Sequence, residues 1–124
     1  MRLSSLANLL SGKLSSRTFS AEIAGELAVY VLSLQKPGAT VQIQVTEDID
    51  LLLDGPALAV LCRLFAAGDL TADELAYVAD VAQLSERVEC NDPEVASNLA
   101  ECTDPGINGP LTIARALEIA DIRK

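Results

Sequence analysis

The side chains best suited to acid–base or metal chemistry are carboxylates, and they come in two runs. Glu47, Asp48, Asp50 and Asp54 crowd one short stretch. Glu86, Glu89, Asp92 and Glu94 form the second, with Glu101 and Asp104 beyond it. A calcium loop of the EF-hand type needs oxygen ligands at alternate positions, then a glycine at position six. Counted from Asp48, positions five and six are Leu52 and Leu53, and the pattern fails. Two acids can also cleave a glycosidic bond as acid and base. That work suits a cleft with aromatic platforms, and Phe19, Tyr30, Phe65 and Tyr77 are the only aromatic residues. The acidic runs therefore read as solvated edges or as docking surfaces for lysine- and arginine-rich partners, not as a catalytic pair.

Other chemistry is closed off by what the chain lacks. It has no histidine, which removes imidazole as base, nucleophile or ligand. The cysteines are Cys62, Cys90 and Cys102. Their number is odd, no pair has CxxC spacing, and no disulfide framework is implied. Cys62 lies in an apolar run, and Cys102 shares a helical stripe with Val95 and Leu99. Both read as small buried hydrophobes. Cys90 is the candidate reactive thiol, but Glu89 and Asp92 would raise its pKa and blunt it. The glycines form no phosphate-binding loop. The turn Asn108-Gly109-Pro110 precedes a helix start, yet no lysine or arginine stands near it to hold an anion. No Asp-Ser-Leu tripeptide is present to carry the prosthetic arm of an acyl carrier. No metal, cofactor or catalytic residue is expected.

The charge is unevenly spread. Eighteen acids against nine bases give a net −9. Residues 1–21 hold Arg2, Lys13 and Arg17 and no acid; residues 37–104 hold fourteen acids against Arg63 and Arg87, a regional −12. Such a field repels phosphate backbones, so direct nucleic-acid binding is not expected. It favours encounter with a basic protein, although acids also serve plain solubility. The basic, serine-rich start resembles an organelle transit peptide in composition; the simpler reading is an ordinary first helix. No apolar run approaches the ~20 residues of a membrane span, and the best, Ala57 to Ala67, contains Arg63.

The elements that must position these groups are mostly helices, within one domain spanning residues 1–124. Leu3, Leu6, Leu9 and Leu10 predict a helix over 3–13. A second starts near Ser20, with Ile23, Leu27, Tyr30, Val31 and Leu34 as its stripe, and stops at Pro37-Gly38. Val41, Ile43 and Val45 alternate with glutamines, a strand signal. Ile49, Leu51 and Leu53 continue the odd positions, which predicts a small β-hairpin over about 41–53. A short helix over 46–54 is the rival. Helix 56–67 carries a single charge and is expected at the centre of the domain. Thr71 and Glu74 fit a capping box, with Leu70 and Leu75 as its hydrophobic staple. Asp92 and Pro93 open the fifth helix. The sixth starts at Pro110, with Leu111, Ala114, Leu117 and Ala120 on its face. The expected fold class is mainly α: about six short helices around a buried central helix, plus a small β-element.

Two functional readings follow. The first is a cytoplasmic, non-enzymatic protein that binds and blocks a basic partner, most concretely a bacterial immunity protein or antitoxin that neutralises a toxin, such as a nuclease. Glu47, Asp48, Asp50, Glu86, Glu89, Asp92 and Glu94 are its expected contacts. The second is a structural or regulatory adaptor, such as a phage or assembly subunit, docking through the amphipathic N-terminal segment. The sequence sets no oligomeric state.

Overall fold

A computed structural model describes residues 1–34, 43–90, 92–103 and 111–122. Within them run six helices: α1 (Leu3–Leu10), α2 (Ser16–Leu34), α3 (Gly55–Ala66), α4 (Ala72–Leu84), α5 (Pro93–Glu101) and α6 (Ile113–Ile122). Two short strands, β1 (Leu51–Leu52) and β2 (Val88–Glu89), complete the mainly α architecture. A single apolar core draws on all six helices and on Leu53.

Local chemistry sets most helix starts. The Asp54 carboxylate accepts from Ala57 N–H at 3.0 Å and opens α3, one residue ahead of the expected Pro56. The capping box of α4 is complete: Thr71 Oγ1 accepts from Glu74 N–H, and the Glu74 carboxylate accepts from Thr71 N–H. Leu70 and Leu75, the two staple residues, are both buried. Asp92 caps α5 and Pro93 is its first residue. Thr71→Ala removes one half of a reciprocal pair, and the expected cost is about 0.5–2 kcal/mol in chemical denaturation; no measurable change would mean that α4 is fixed by packing alone.

Three further boundaries differ from expectation. Helix α1 ends at Leu10, because Gly12 adopts φ +81°, a left-handed conformation that suits glycine. Helix α2 starts four residues before Ser20: Ser15 Oγ accepts from Thr18 N–H at 3.2 Å, and Phe19, fully buried, becomes part of the helix. Helix α6 starts at Ile113, where Thr112 Oγ1 accepts from Arg115 N–H at 3.0 Å. Its buried face is Ala116, Ile119 and Ala120, while Ala114 and Leu117 are exposed. The expected stops at Pro37-Gly38 and at Asn108-Gly109-Pro110 lie outside the described residues.

Helix α3 sits between neighbours as expected, touching α1, α4, α5 and, most extensively, α6. The most thoroughly enclosed element is α4, in which Glu74 through Ala79, Val81 and Ala82 are all buried. At its centre Tyr77 meets Tyr30 edge-on, with ring centroids 4.9 Å apart. The Tyr77 hydroxyl donates to the Glu26 carboxylate at 2.8 Å and accepts from Gln44 N–H at 3.0 Å. Burial pushes the phenol well above its usual pKa, with Glu26 adding to the rise and the bond to the Gln44 backbone opposing it.

The small sheet is present, but its strands are not the two arms of a hairpin. β1 pairs with β2 in parallel, Leu51 opposite Val88 and Leu52 opposite Glu89. Leu51 N–H donates to Arg87 C=O at 2.9 Å and Leu53 N–H to Glu89 C=O at 2.8 Å. Of the segment that was to be the other arm, Val41 and Gln42 lie outside the described residues, and the remainder turns elsewhere. Thr46 N–H donates to Met1 C=O at 2.8 Å and Leu3 N–H to Thr46 C=O at 3.0 Å, a parallel bridge between Arg2 and Thr46. Parallel pairs need a crossover connection, and here α3 and α4 supply it. Neither a hairpin turn nor the rival short helix forms at 46–50. The alternation itself is real: Leu51 is half-buried, Leu52 exposed and Leu53 fully buried.

Candidate functional site: an acidic groove beside the parallel ladder

The ladder has a consequence for charge. It lays residues 47–52 alongside 85–89, so two acidic runs far apart in sequence share one surface. A groove of about 560 Å³ lies there, lined by Asp50, Leu51, Leu52, Glu86, Arg87, Val88 and Glu89. Glu86 and Glu89 are exposed on it.

Arg87 organises the site. Its Nε donates to Asp50 Oδ1 at 2.7 Å, its Nη1 to the Glu47 carbonyl at 2.5 Å, and its backbone N–H to Glu47 Oε2 at 3.1 Å. Ser85 Oγ donates to the same Glu47 oxygen at 3.0 Å. These bonds pin the 47–50 segment against the end of α4. The hydrogen bond and the charge of Arg87 hold the Asp50 carboxyl below the usual range, so Asp50 is ionised at neutral pH. The single guanidinium is thus engaged by Asp50 and Glu47, and the groove as a whole stays negative.

The other expected contacts have local structural work. Helix α1 has no acid in its first turn and no side-chain cap of its own. Asp48 supplies one from a distance: it accepts from Ser4 N–H at 3.0 Å and from Ser4 Oγ. An anion at a helix N-terminus is favourable, and the two Ser4 hydrogen bonds, with a smaller contribution from the charge of Arg2, hold the Asp48 carboxyl below its usual pKa. Asp92 accepts from Glu94 N–H at 2.8 Å as the cap of α5, and Glu94 lies in that helix's first turn. The structure therefore brings Glu47, Asp50, Glu86 and Glu89 together, and places Asp48, Asp92 and Glu94 at helix starts.

Arg87 and Ser85 were missed by the sequence reading. The signal for Arg87 was available: it is the only base between Arg63 and Arg115, and it sits inside an acidic run. Nothing in the sequence marks Ser85, whose role depends on a partner thirty-eight positions away.

Two further surfaces frame the site. The leucines of the N-terminal segment face inward, with Leu3, Leu6 and Leu9 all buried in the core. An apolar groove of about 700 Å³ runs instead along α2 and the start of α4, past Ala24, Leu27, Ala28, Val31 and Leu32. Among the described residues no helix is long and apolar enough to cross a membrane, and no group of three or more cysteine or carboxylate side chains is placed to hold a metal ion.

Fold and groove together define a small helical protein with an organised electronegative face. No known protein family, curated protein or solved structure matches the chain.

Proposed function

We propose that the protein is an acidic, non-catalytic interaction protein that binds and blocks a basic partner. In its most concrete form it is a bacterial immunity protein or antitoxin, acting in the cytoplasm on a toxin such as a nuclease. What supports this reading is the joining of two separate acidic runs on one groove, where Glu86 and Glu89 are exposed and the charge of Arg87 is engaged by Asp50 and Glu47. A nuclease must attract phosphate, so its cleft is positive. An acidic body with a concave, charged edge can occupy that cleft and find it quickly.

The test uses the full chain and the larger protein encoded beside it. Binding at low salt is expected, weakening as ionic strength rises. Reversing both exposed carboxylates, Glu86→Lys with Glu89→Lys, is expected to lower the association rate on the order of 10–100-fold. Asp69→Lys, at an exposed position outside the groove, is expected to change it little. Co-expression should rescue cells from the neighbouring toxin, and the double variant should not. Absence of binding at low salt would overturn the reading.

The adaptor reading meets a structural obstacle at the N-terminal segment, because docking through Leu3, Leu6 and Leu9 would require α1 to leave the core. What favours an adaptor is the exposed apolar surface of α2, where Val29 and Leu32 face solvent.

A further inference from the structure

Helix α2 sends Phe19, Ile23 and Tyr30 into the core, while Ala21, Gly25, Ala28 and Leu32 form an exposed row at helical spacing on its other side. Leu32 is 58% exposed, and Val29, beside the row, 43%. The apolar groove of about 700 Å³ flanks this row, passing Ala24, Leu27 and Val31, with the start of α4 as its far rim. Charge is kept off the face. The Glu22 carboxylate accepts from Ser5 Oγ at 3.1 Å, the Glu26 carboxylate accepts from the Tyr77 hydroxyl at 2.8 Å, and no charged residue occurs from Leu27 to Leu34. Gly25 weakens a helix interior, yet open space lies where its Cβ would stand. We infer that the exposed face of α2 docks a second copy of this chain, antiparallel and two-fold symmetric.

The face itself selects the occupant. Its row grades from Ala21 and Gly25 at one end to Leu32 at the other. Antiparallel pairing sets Leu32 over the partner's Ala21 and Ala28 over the partner's Gly25, so bulky and small ends interlock and the glycine lets the backbones approach. The charges agree with that direction. Helix α2 has no acid in its first turn and no base in its last; its first turn holds the exposed Arg17 instead. Within one helix this cation sits at the positive end of the dipole, where it is unfavourable. In an antiparallel pair it lies beside the C-terminal end of the other α2, where a cation is favourable. A parallel pair would set Arg17 beside Arg17 and Leu32 against Leu32. A two-fold axis repeats each of these contacts. The acid on the groove's rim, Glu74, is buried and accepts from Thr71 N–H. A basic partner of the kind proposed for the acidic groove therefore finds little charge to meet here, and the two surfaces share no lining residue. At about 1.5 Å per residue, the nineteen residues of α2 extend about 28 Å. A strip of that length with the α4 rim buries on the order of 500 Å² per copy, the size of a weak, reversible dimer.

The experiment is sedimentation equilibrium of the full chain from about 1 to 500 μM, the range of micromolar affinities that such an area supports. The mass is expected to rise from one chain to two and stop there. Added salt should strengthen the association by screening two bodies of net −9, the opposite of its effect on a basic partner at the acidic groove. Two variants separate docking from folding, because each favours the isolated helix. Gly25→Gln fills open space and raises helix propensity; it should keep or raise Tm and weaken the dimer about 10-fold or more. Arg17→Glu places an acid in the first turn, which suits α2 alone, and should weaken the dimer about 3–10-fold. Leu117→Ala, at an exposed leucine on α6, should leave the association constant unchanged. A single-chain mass at every concentration, growth beyond two chains, or an unchanged constant for either α2 variant overturns the inference.

Discussion

Replacing Tyr77 by alanine is expected to lower the unfolding free energy by about 3–5 kcal/mol, and replacing it by phenylalanine by about 1–3 kcal/mol. The two variants separate packing from polarity. Alanine leaves a void in the most enclosed helix and strips Tyr30 of its edge-on ring contact. Phenylalanine keeps the ring but removes the donor to the Glu26 carboxylate and the acceptor for Gln44 N–H. Denaturant titration should show both as shifts in midpoint at constant slope. Equal losses for the two variants would mean that the hydroxyl, not the ring, carries the site. The pH dependence has a definite sign. The folded phenol has a raised pKa, while in the unfolded chain it ionises near 10. Its contribution to stability is therefore full below about pH 10 and is lost as pH rises beyond it. The Tyr77→Phe protein lacks that loss, so its deficit relative to the parent should narrow in alkali.

What was legible in the sequence follows the range of the interaction. Caps are local, and the pairs Thr71 with Glu74 and Asp92 with Pro93 place their helices as read. Alternation is local too, and it gave the odd-position pattern ending at the buried Leu53. Partner choice is not local. Leu51 could face residue 43 across a hairpin or Val88 across a parallel crossover, and its own pattern is the same in either case. Two non-local sets of bonds decide the matter: Arg87 and Ser85 hold Glu47 and Asp50, while the N-terminal backbone takes Thr46.

The candidate site shows the same division. Composition revealed that the carboxylates are in excess and fall in two runs. It could not reveal that β1 and β2 make those runs one groove, nor that Asp48 caps the first helix. A site assembled by crossover connections leaves its signature in residue types and little of it in spacing.

The last helix offers the sharpest contrast between pattern and packing, and therefore the second large effect. Ile119→Ala is expected to cost about 2–5 kcal/mol, while Leu117→Ala should stay within about 0.5 kcal/mol. Ile119 is fully buried between Ala116 and Ala120, on the face by which α6 packs against α3, whereas Leu117 is 46% exposed. The sequence pattern alone ranks them the other way, since Leu117 falls in line with Leu111, Ala114 and Ala120. Thr112, by accepting from Arg115 N–H, starts the helix at Ile113; the face that turns inward is the one carrying Ala116, Ile119 and Ala120. Small residues at 116 and 120 then allow close approach to α3. Arg115 is meanwhile turned toward the Glu101 carboxylate, with both of its bonds to Glu101 at 2.9 Å. Denaturation of the two alanine variants decides the matter directly. A larger loss for Leu117→Ala would place the α6 face on the leucine side and displace the α3–α6 packing on which the core depends.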